Sequence, residues 1–197
     1  MKTRLLSLLL ILPLMFTGIS HADEGWNGNI NLHLGSKVLN SDDWWAYAHG
    51  ETGIFIDVGH SSWPVNIVFD LLGSRGKFEE LDYTPALGVF YVEEEVTTGE
   101  LNLGVRHYFN TRSSMRPYVG GGLALITLES DLRIDSGPLL HDEGHGSGIW
   151  LNGGIVWGFN AFNLGFDMRV SAAEVEMDAG DFQGGGAHTG LILGYHW

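Results

Sequence analysis

The chain has 197 residues, 24 of them acidic and 10 basic, for a formal charge of −14 at neutral pH, and it contains no cysteine. That charge has the wrong sign for holding a nucleic-acid backbone, which excludes nucleic acid as a partner. Without cysteine there is neither a disulfide framework nor a thiol for a lipid anchor.

Reading from the amino end, Lys2 and Arg4 precede an apolar run from Leu5 to Phe16, and Ser20-His21-Ala22 has small-x-small character. This pattern predicts a cleaved signal peptide over residues 1–22 and a mature domain over residues 23–197, with a charge of −16 once Lys2 and Arg4 are removed. Pro13 interrupts the run, which is shorter than the roughly 20 residues of a spanning helix. No later segment is apolar enough to be one.

Eight segments of strand period follow. Trp26 to Val38 sets Ile30, Leu32 and Leu34 against Asn29, Asn31, His33 and Lys37. Thr52 to Gly59 sets Ile54, Ile56 and Val58 against Asp57, and Val65 to Leu72 sets Ile67, Phe69 and Leu71 against Asn66 and Asp70. The fourth, about Gly99 to Phe109, opposes Leu101, Leu103 and Val105 to Glu100, Asn102, Arg106 and Tyr108. Arg116 to Leu128 is less clean, with Val119, Leu123 and Leu125 on one face and Tyr118, Gly120 and Gly122 on the other. Ile149 to Phe159 opposes Leu151, Ile155 and Trp157 to Asn152 and Gly154. Phe162 to Ser171 opposes Leu164, Phe166 and Met168 to Asp167 and Arg169. In the last, Ala187 to Trp197, Leu191, Leu193, Tyr195 and Trp197 share a face opposite His188, Gly190, Gly194 and His196.

The connections alternate in length. His60 to Pro64, Asn110 to Ser114 and Asn160-Ala161 are short, whereas Leu39 to Glu51, Gly73 to Thr98, Glu129 to Gly148 and Ala172 to Gly186 read as long loops. A soluble up-and-down barrel also alternates. The polar faces decide between the two: Asp57, Asp70, Glu100, Arg106, Asp167 and Arg169 could not fill an oily core without a severe desolvation penalty. Phe109, Phe159, Phe162, Tyr195 and Trp197 lie beside the short turns or the carboxyl end, where an aromatic girdle belongs. The fold class expected is all-β, an eight-stranded antiparallel up-and-down transmembrane β-barrel.

The segments Arg116-Pro117-Tyr118-Val119-Gly120-Gly121-Gly122, Leu103-Gly104-Val105-Arg106-His107-Tyr108-Phe109 and Leu193-Gly194-Tyr195-His196-Trp197 resemble strands of the small OmpA/OmpX-like outer-membrane β-barrel family. The resemblance implies a cell outer membrane location in a Gram-negative bacterium, both termini in the periplasm, and a monomer. It also implies outer-membrane lipid and lipopolysaccharide as surroundings, and the barrel-assembly machinery as a partner that reads Tyr195 and Trp197 as its signal. No cofactor is implied.

A ring of eight strands is narrow, so its inward side chains fill it. Asp57, Asp70, Glu100, Arg106, Asp167 and Arg169 are expected to pair into a polar network that plugs the lumen; a narrow ion path is the alternative. The acidic loops predict a solvated rim, with divalent-cation binding near the anionic lipid of the outer leaflet as the sharper reading, and an external protein partner is expected as well. His141-Asp142-Glu143-Gly144-His145 offers metal-ligand types, with Gly144 and Gly146 suggesting a mobile loop. Trp44, Trp45 and Tyr47 read as an outer girdle or a stacking platform. No catalytic residue is assigned, because no serine falls beside a histidine in a recognisable motif, and a lipid A deacylase-like enzyme is the competing class. Val89 to Val92 is expected to extend a strand pair above the membrane.

Overall fold

The computed structural model describes residues 25–39, 48–84, 88–109, 112–135, 137–178 and 180–197. The expected signal peptide over residues 1–22 and the aromatic group Trp44, Trp45 and Tyr47 lie outside them. Among the described residues nine strands are formed: β1 (Trp26–Leu39), β2 (Ala48–His60), β3 (Asn66–Thr84), β4 (Gly88–Tyr108), β5 (Met115–Ile134), β6 (Leu140–Phe159), β7 (Phe162–Met177), β8 (Gly180–Gln183) and β9 (Gly186–His196). Eight of them close a ring in chain order, each antiparallel to the next, with β9 returning to β1; the short β8 extends the end of β7. Closure leaves each of the eight paired on both sides over its central part, which satisfies the backbone donors and acceptors that lipid cannot.

Side-chain parity then sorts the residues. Outward stand large apolar groups that remain solvent-accessible, among them Leu32, Ile67, Phe69, Leu103, Leu123, Leu151, Phe166 and Leu191. Inward stand Asp57, Asp70, Glu100, Arg106, Asp167, Arg169, Lys37 and Glu51, all buried. Burying charge while exposing hydrocarbon is the reverse of a water-soluble protein, and it is stable only with lipid outside the wall. No helix among the described residues is long and apolar enough to cross a membrane, so the crossing elements are these strands.

The end of the ring that carries the termini bears aromatic rings: Trp26 meets Trp63 at 5.3 Å between centroids, and Tyr195 stacks on Trp197 at 6.4 Å. His107, on the outer wall near this end, contacts the Pro64 carbonyl through Nδ1 at 2.6 Å.

The opposite, distal end departs from the sequence expectation. The segments read as long loops at Gly73 to Thr98 and Glu129 to Gly148 are mostly strand, because β3 to β6 run 19, 21, 20 and 20 residues. By contrast β1, β2 and β9 have 14, 13 and 11 residues. One side of the wall therefore stands well above the other. Paired charges suit this extension to water: Arg75 of β3 pairs with Glu95 of β4 at 2.5 Å, and Lys77 bridges Glu79 on its own strand and Glu93 on β4 at 2.6 and 2.8 Å. Exposed pairs of this kind contribute little each, so backbone pairing and side-chain packing hold the sheet.

Candidate functional site

Inside the ring, nearest the termini, Asp57 is a hub. Its Oδ1 accepts Asn29 Nδ2 (2.8 Å) and Asn66 Nδ2 (2.6 Å), and its Oδ2 accepts Arg106 Nη1 (3.1 Å) and the Tyr108 hydroxyl (2.8 Å). Arg106 Nη2 reaches Asp70 Oδ2 at 2.9 Å, and Arg169 Nη2 donates to the same oxygen. Asp167 Oδ2 accepts the Tyr118 hydroxyl (2.5 Å) and Asn152 Nδ2 (2.9 Å). Both guanidinium groups also lie over Phe55, at 5.6 Å for Arg106 and 4.7 Å for Arg169, and Arg169 faces Trp150 at 4.7 Å. A delocalised cation accepts a ring face and a carboxylate together, which makes arginine suited to this crowded space.

Glu100 is not in that cluster. It belongs to a second network, closer to the distal end. Lys37 Nζ donates to Glu100 Oε1 (2.5 Å), Thr98 Oγ1 (3.1 Å) and the Gly184 carbonyl (3.1 Å), so all three ammonium protons are used. Glu51 stands between two imidazoles, with His33 Nε2 at 3.1 Å and His188 Nδ1 at 2.6 Å. Ser171 Oγ is 3.0 Å from His188 Nε2. Sequence parity makes Lys37, His33 and His188 inward, whereas Glu51 falls at the edge of an expected loop.

Serine on one imidazole nitrogen and a carboxylate on the other is the contact order of an acyl-transfer triad. The surroundings differ from one. Ser171 Oγ also accepts the Gly186 N–H at 3.2 Å, and Ser171 and His188 are only 5% and 1% exposed. The trio is buried, and its contacts join β2, β7 and β9.

The interior is not polar throughout, and an apolar column stands beside the expected polar network. Val96, Ile126, Leu128, Trp150, Ala173 and Val175 form a buried apolar column along β4 to β7, with Leu39 from β1. It leads from Arg169 toward the distal mouth, and its small and aliphatic side chains interdigitate there.

The expected metal group is dismantled by its secondary structure. His141 to His145 lie within β6, not in a loop, so alternation puts His141, Glu143 and His145 outward and Asp142 inward. Four residues of strand separate the two imidazoles by about 13 Å, too far for one ion. His141 Nδ1 instead pairs with Asp131 Oδ1 at 2.7 Å, and this hydrogen bond holds the His141 pKa above its ordinary value. Asp142 Oδ1 accepts the Asp178 backbone N–H (3.2 Å).

No family model matches the sequence, and neither does any curated protein. Solved structures do match. Ail, the attachment invasion locus protein of Yersinia pestis, solved with the heparin analogue sucrose octasulfate, superposes with a TM-score of 0.58 at 11% identity over 88% of this chain and 99% of that one. The outer membrane protein OprG from Pseudomonas aeruginosa gives 0.57 at 10% identity, over 88% and 97%. A major outer membrane protein from Thermus thermophilus gives 0.50 at 12%, over 90% and 100%. At these identities the likeness is one of fold: small outer-membrane β-barrels share this architecture.

Proposed function

We propose that this chain is an integral outer-membrane protein, delivered by a signal peptide over residues 1–22 and inserted with both termini in the periplasm. Tyr195 and Trp197 serve as the assembly signal. Its luminal networks act as a structural plug, and the tall β3–β6 wall presents a partner-binding or adhesive surface outside the cell. It works as a monomer among outer-membrane lipid and lipopolysaccharide, without a cofactor and without catalysis.

The observation that carries the binding role is an apolar strip at the top of the wall. Leu81, Tyr83 and Val89 are 69%, 65% and 69% exposed on the outer face of the β3–β4 hairpin, where Tyr83 and Val89 are directly opposed. The charged belt of Arg75, Lys77, Glu79, Glu93 and Glu95 separates this strip from the lipid-facing band, so it is not part of the membrane contact. Isolated apolar groups need no explanation, but a contiguous exposed set at the tip of a protrusion marks an interaction surface.

Ail was solved with a sulfated polyanion, and that preference does not suit this wall. Residues 74–98 and 129–147 carry three basic side chains, Arg75, Lys77 and Arg133, against eleven acidic ones. The partner fitted to this surface is a protein with apolar and cationic groups.

The test uses cells that express either the wild type or a Leu81→Ser/Tyr83→Ser/Val89→Ser variant at equal outer-membrane levels. The variant is expected to lose attachment to protein-coated surfaces while keeping its heat-modifiable gel band. Equal attachment would remove the binding role. Protease added to intact cells should cut the β3–β4 hairpin, and protection there would reverse the proposed orientation.

A further inference from the structure

Strand register builds a cup on the inner face of the distal sheet. Glu94 of β4 stands opposite Leu132 of β5, which stands opposite Leu140 of β6. One row nearer the barrel, Val96, Ser130 and Asp142 align in the same way. Met177 at the end of β7 and Phe182 of β8 close the remaining side around a cavity of about 450 Å³. Met177 packs on the apolar column beneath, which gives the cup a greasy floor. The volume falls in the range of about 300–1,000 Å³ that small ligands occupy.

Two kinds of surface meet in this cavity. Leu132, Leu140, Met177 and Phe182 are apolar, whereas Glu94 and Asp142 bring carboxylates from β4 and β6, the strands that flank β5. Asp178 and His141 complete the lining, His141 with its ring paired to Asp131 on the outer face, and no lysine or arginine lines the cavity among the described residues. Glu94 is partly buried, and that burial pushes its pKa above the usual carboxylate value, against the hydrogen bond from Ser130 Oγ at 3.3 Å. A carboxylate short of water gains from a cationic partner that replaces the lost hydration. Asp142 is held toward the cavity rim by its bond from the Asp178 amide.

We infer that this cup binds a small amphipathic amine, its apolar body seated against Leu132, Leu140, Met177 and Phe182 and its ammonium on Glu94 and Asp142. The site is on the inner face of the sheet and the exposed strip Leu81, Tyr83 and Val89 is on the outer face, so the two surfaces are independent.

Tryptamine is a suitable probe, and 3-ethylindole, which keeps the ring and lacks the amine, is its control. The full-length mature protein in zwitterionic lipid nanodiscs is titrated with each and followed by methyl NMR, with protein-free discs as the blank. Tryptamine is expected to give saturable shifts at Leu132, Leu140 and Met177, and to bind about ten-fold more tightly than 3-ethylindole. Glu94→Gln is expected to remove about that factor. Asp142→Asn provides a second reading if the first variant assembles poorly. Equal binding of the two indoles, an affinity unmoved by both substitutions, or no saturable shift at these methyls would each overturn the assignment.

Discussion

Trp197 lies across Gly28 at the seam that closes the barrel. A Cβ on Gly28 would stand 2.3 Å from the indole, and the two residues exchange backbone hydrogen bonds of 3.2 and 3.3 Å. Gly28→Val therefore lowers stability by about 1–3 kcal/mol through overpacking, and adding Trp197→Ala recovers part of that loss. A double-mutant cycle by denaturant unfolding in vesicles measures the coupling, and strict additivity would mean that the ring does not press on this position. In cells, Tyr195→Ala and Trp197→Ala should reduce the heat-modifiable barrel more than they reduce refolding in detergent. Equal losses in both settings would assign the rings to stability alone.

Asp57 is the most heavily used acceptor of the network nearest the termini. Asp57→Ala strands Arg106 with Asp70 alone and leaves Asn29, Asn66 and Tyr108 each short of an acceptor. Breaking one side of a buried ion pair is worth about 3–5 kcal/mol, and Asp57→Asn, which keeps one oxygen acceptor, should lose less. Urea unfolding of the reconstituted protein checks both. An alanine variant as stable as the wild type would mean that water replaces the carboxylate in the lumen.

The exposed His141–Asp131 pair makes a pH prediction outside the membrane. Asp131 raises the folded-state pKa of His141 above its ordinary value of 6.5. The pair's stabilising contribution is thus fully present below that value and disappears as pH rises through the raised one. An NMR titration of the imidazole should show a midpoint above 6.5, moved back toward it by Asp131→Asn. A wild-type midpoint at or below the ordinary value contradicts the contact.

Ser171 and His188 allow a direct test of the catalytic alternative. If their contact is a brace, Ser171→Ala leaves the lipid A mass profile of expressing cells unchanged. His188→Ala leaves it unchanged too, but lowers barrel stability by about 3 kcal/mol or more, because Glu51 stays buried with less pairing. Any loss or gain of an acyl chain that follows Ser171 would establish an enzyme instead.

The band of alternating strands is legible in sequence because one face meets lipid and the other a packed lumen, so a period of two is written in hydrophobicity. Above the band both faces of β3 to β6 meet water or each other. Glu93-Glu94-Glu95 and His141-Asp142-Glu143 then look like loop, although they are strand. Gly144 and Gly146 reinforce that impression, yet each is small because a Cβ would run into β7, at 2.3 Å from the Glu176 carbonyl and 1.8 Å from that of Glu174. Among the luminal charges, parity identifies the inward residues but not their partners. Lys37 finds Glu100 across 63 positions, a match fixed by stagger around the ring and not by local spacing. Glu51 escapes a reading by parity because its neighbours Gly50 and Gly53 weaken the strand signal at the start of β2.

The distances in sequence between luminal partners have a consequence for how the molecule assembles. Asp70 and Arg169 are 99 positions apart, and Glu51 and His188 are 137 apart. Neither pair exists in a partly zipped sheet, where the contacts of Arg106 with Asp57 and Asp70 can form within β2 to β4 but Arg169 and Glu51 lack these distant partners. A half-closed barrel is therefore only partly neutralised, and its remaining luminal charges make it costly inside the bilayer. Joining β9 to β1 brings these last partners face to face, so closing the ring completes the neutralisation of the interior.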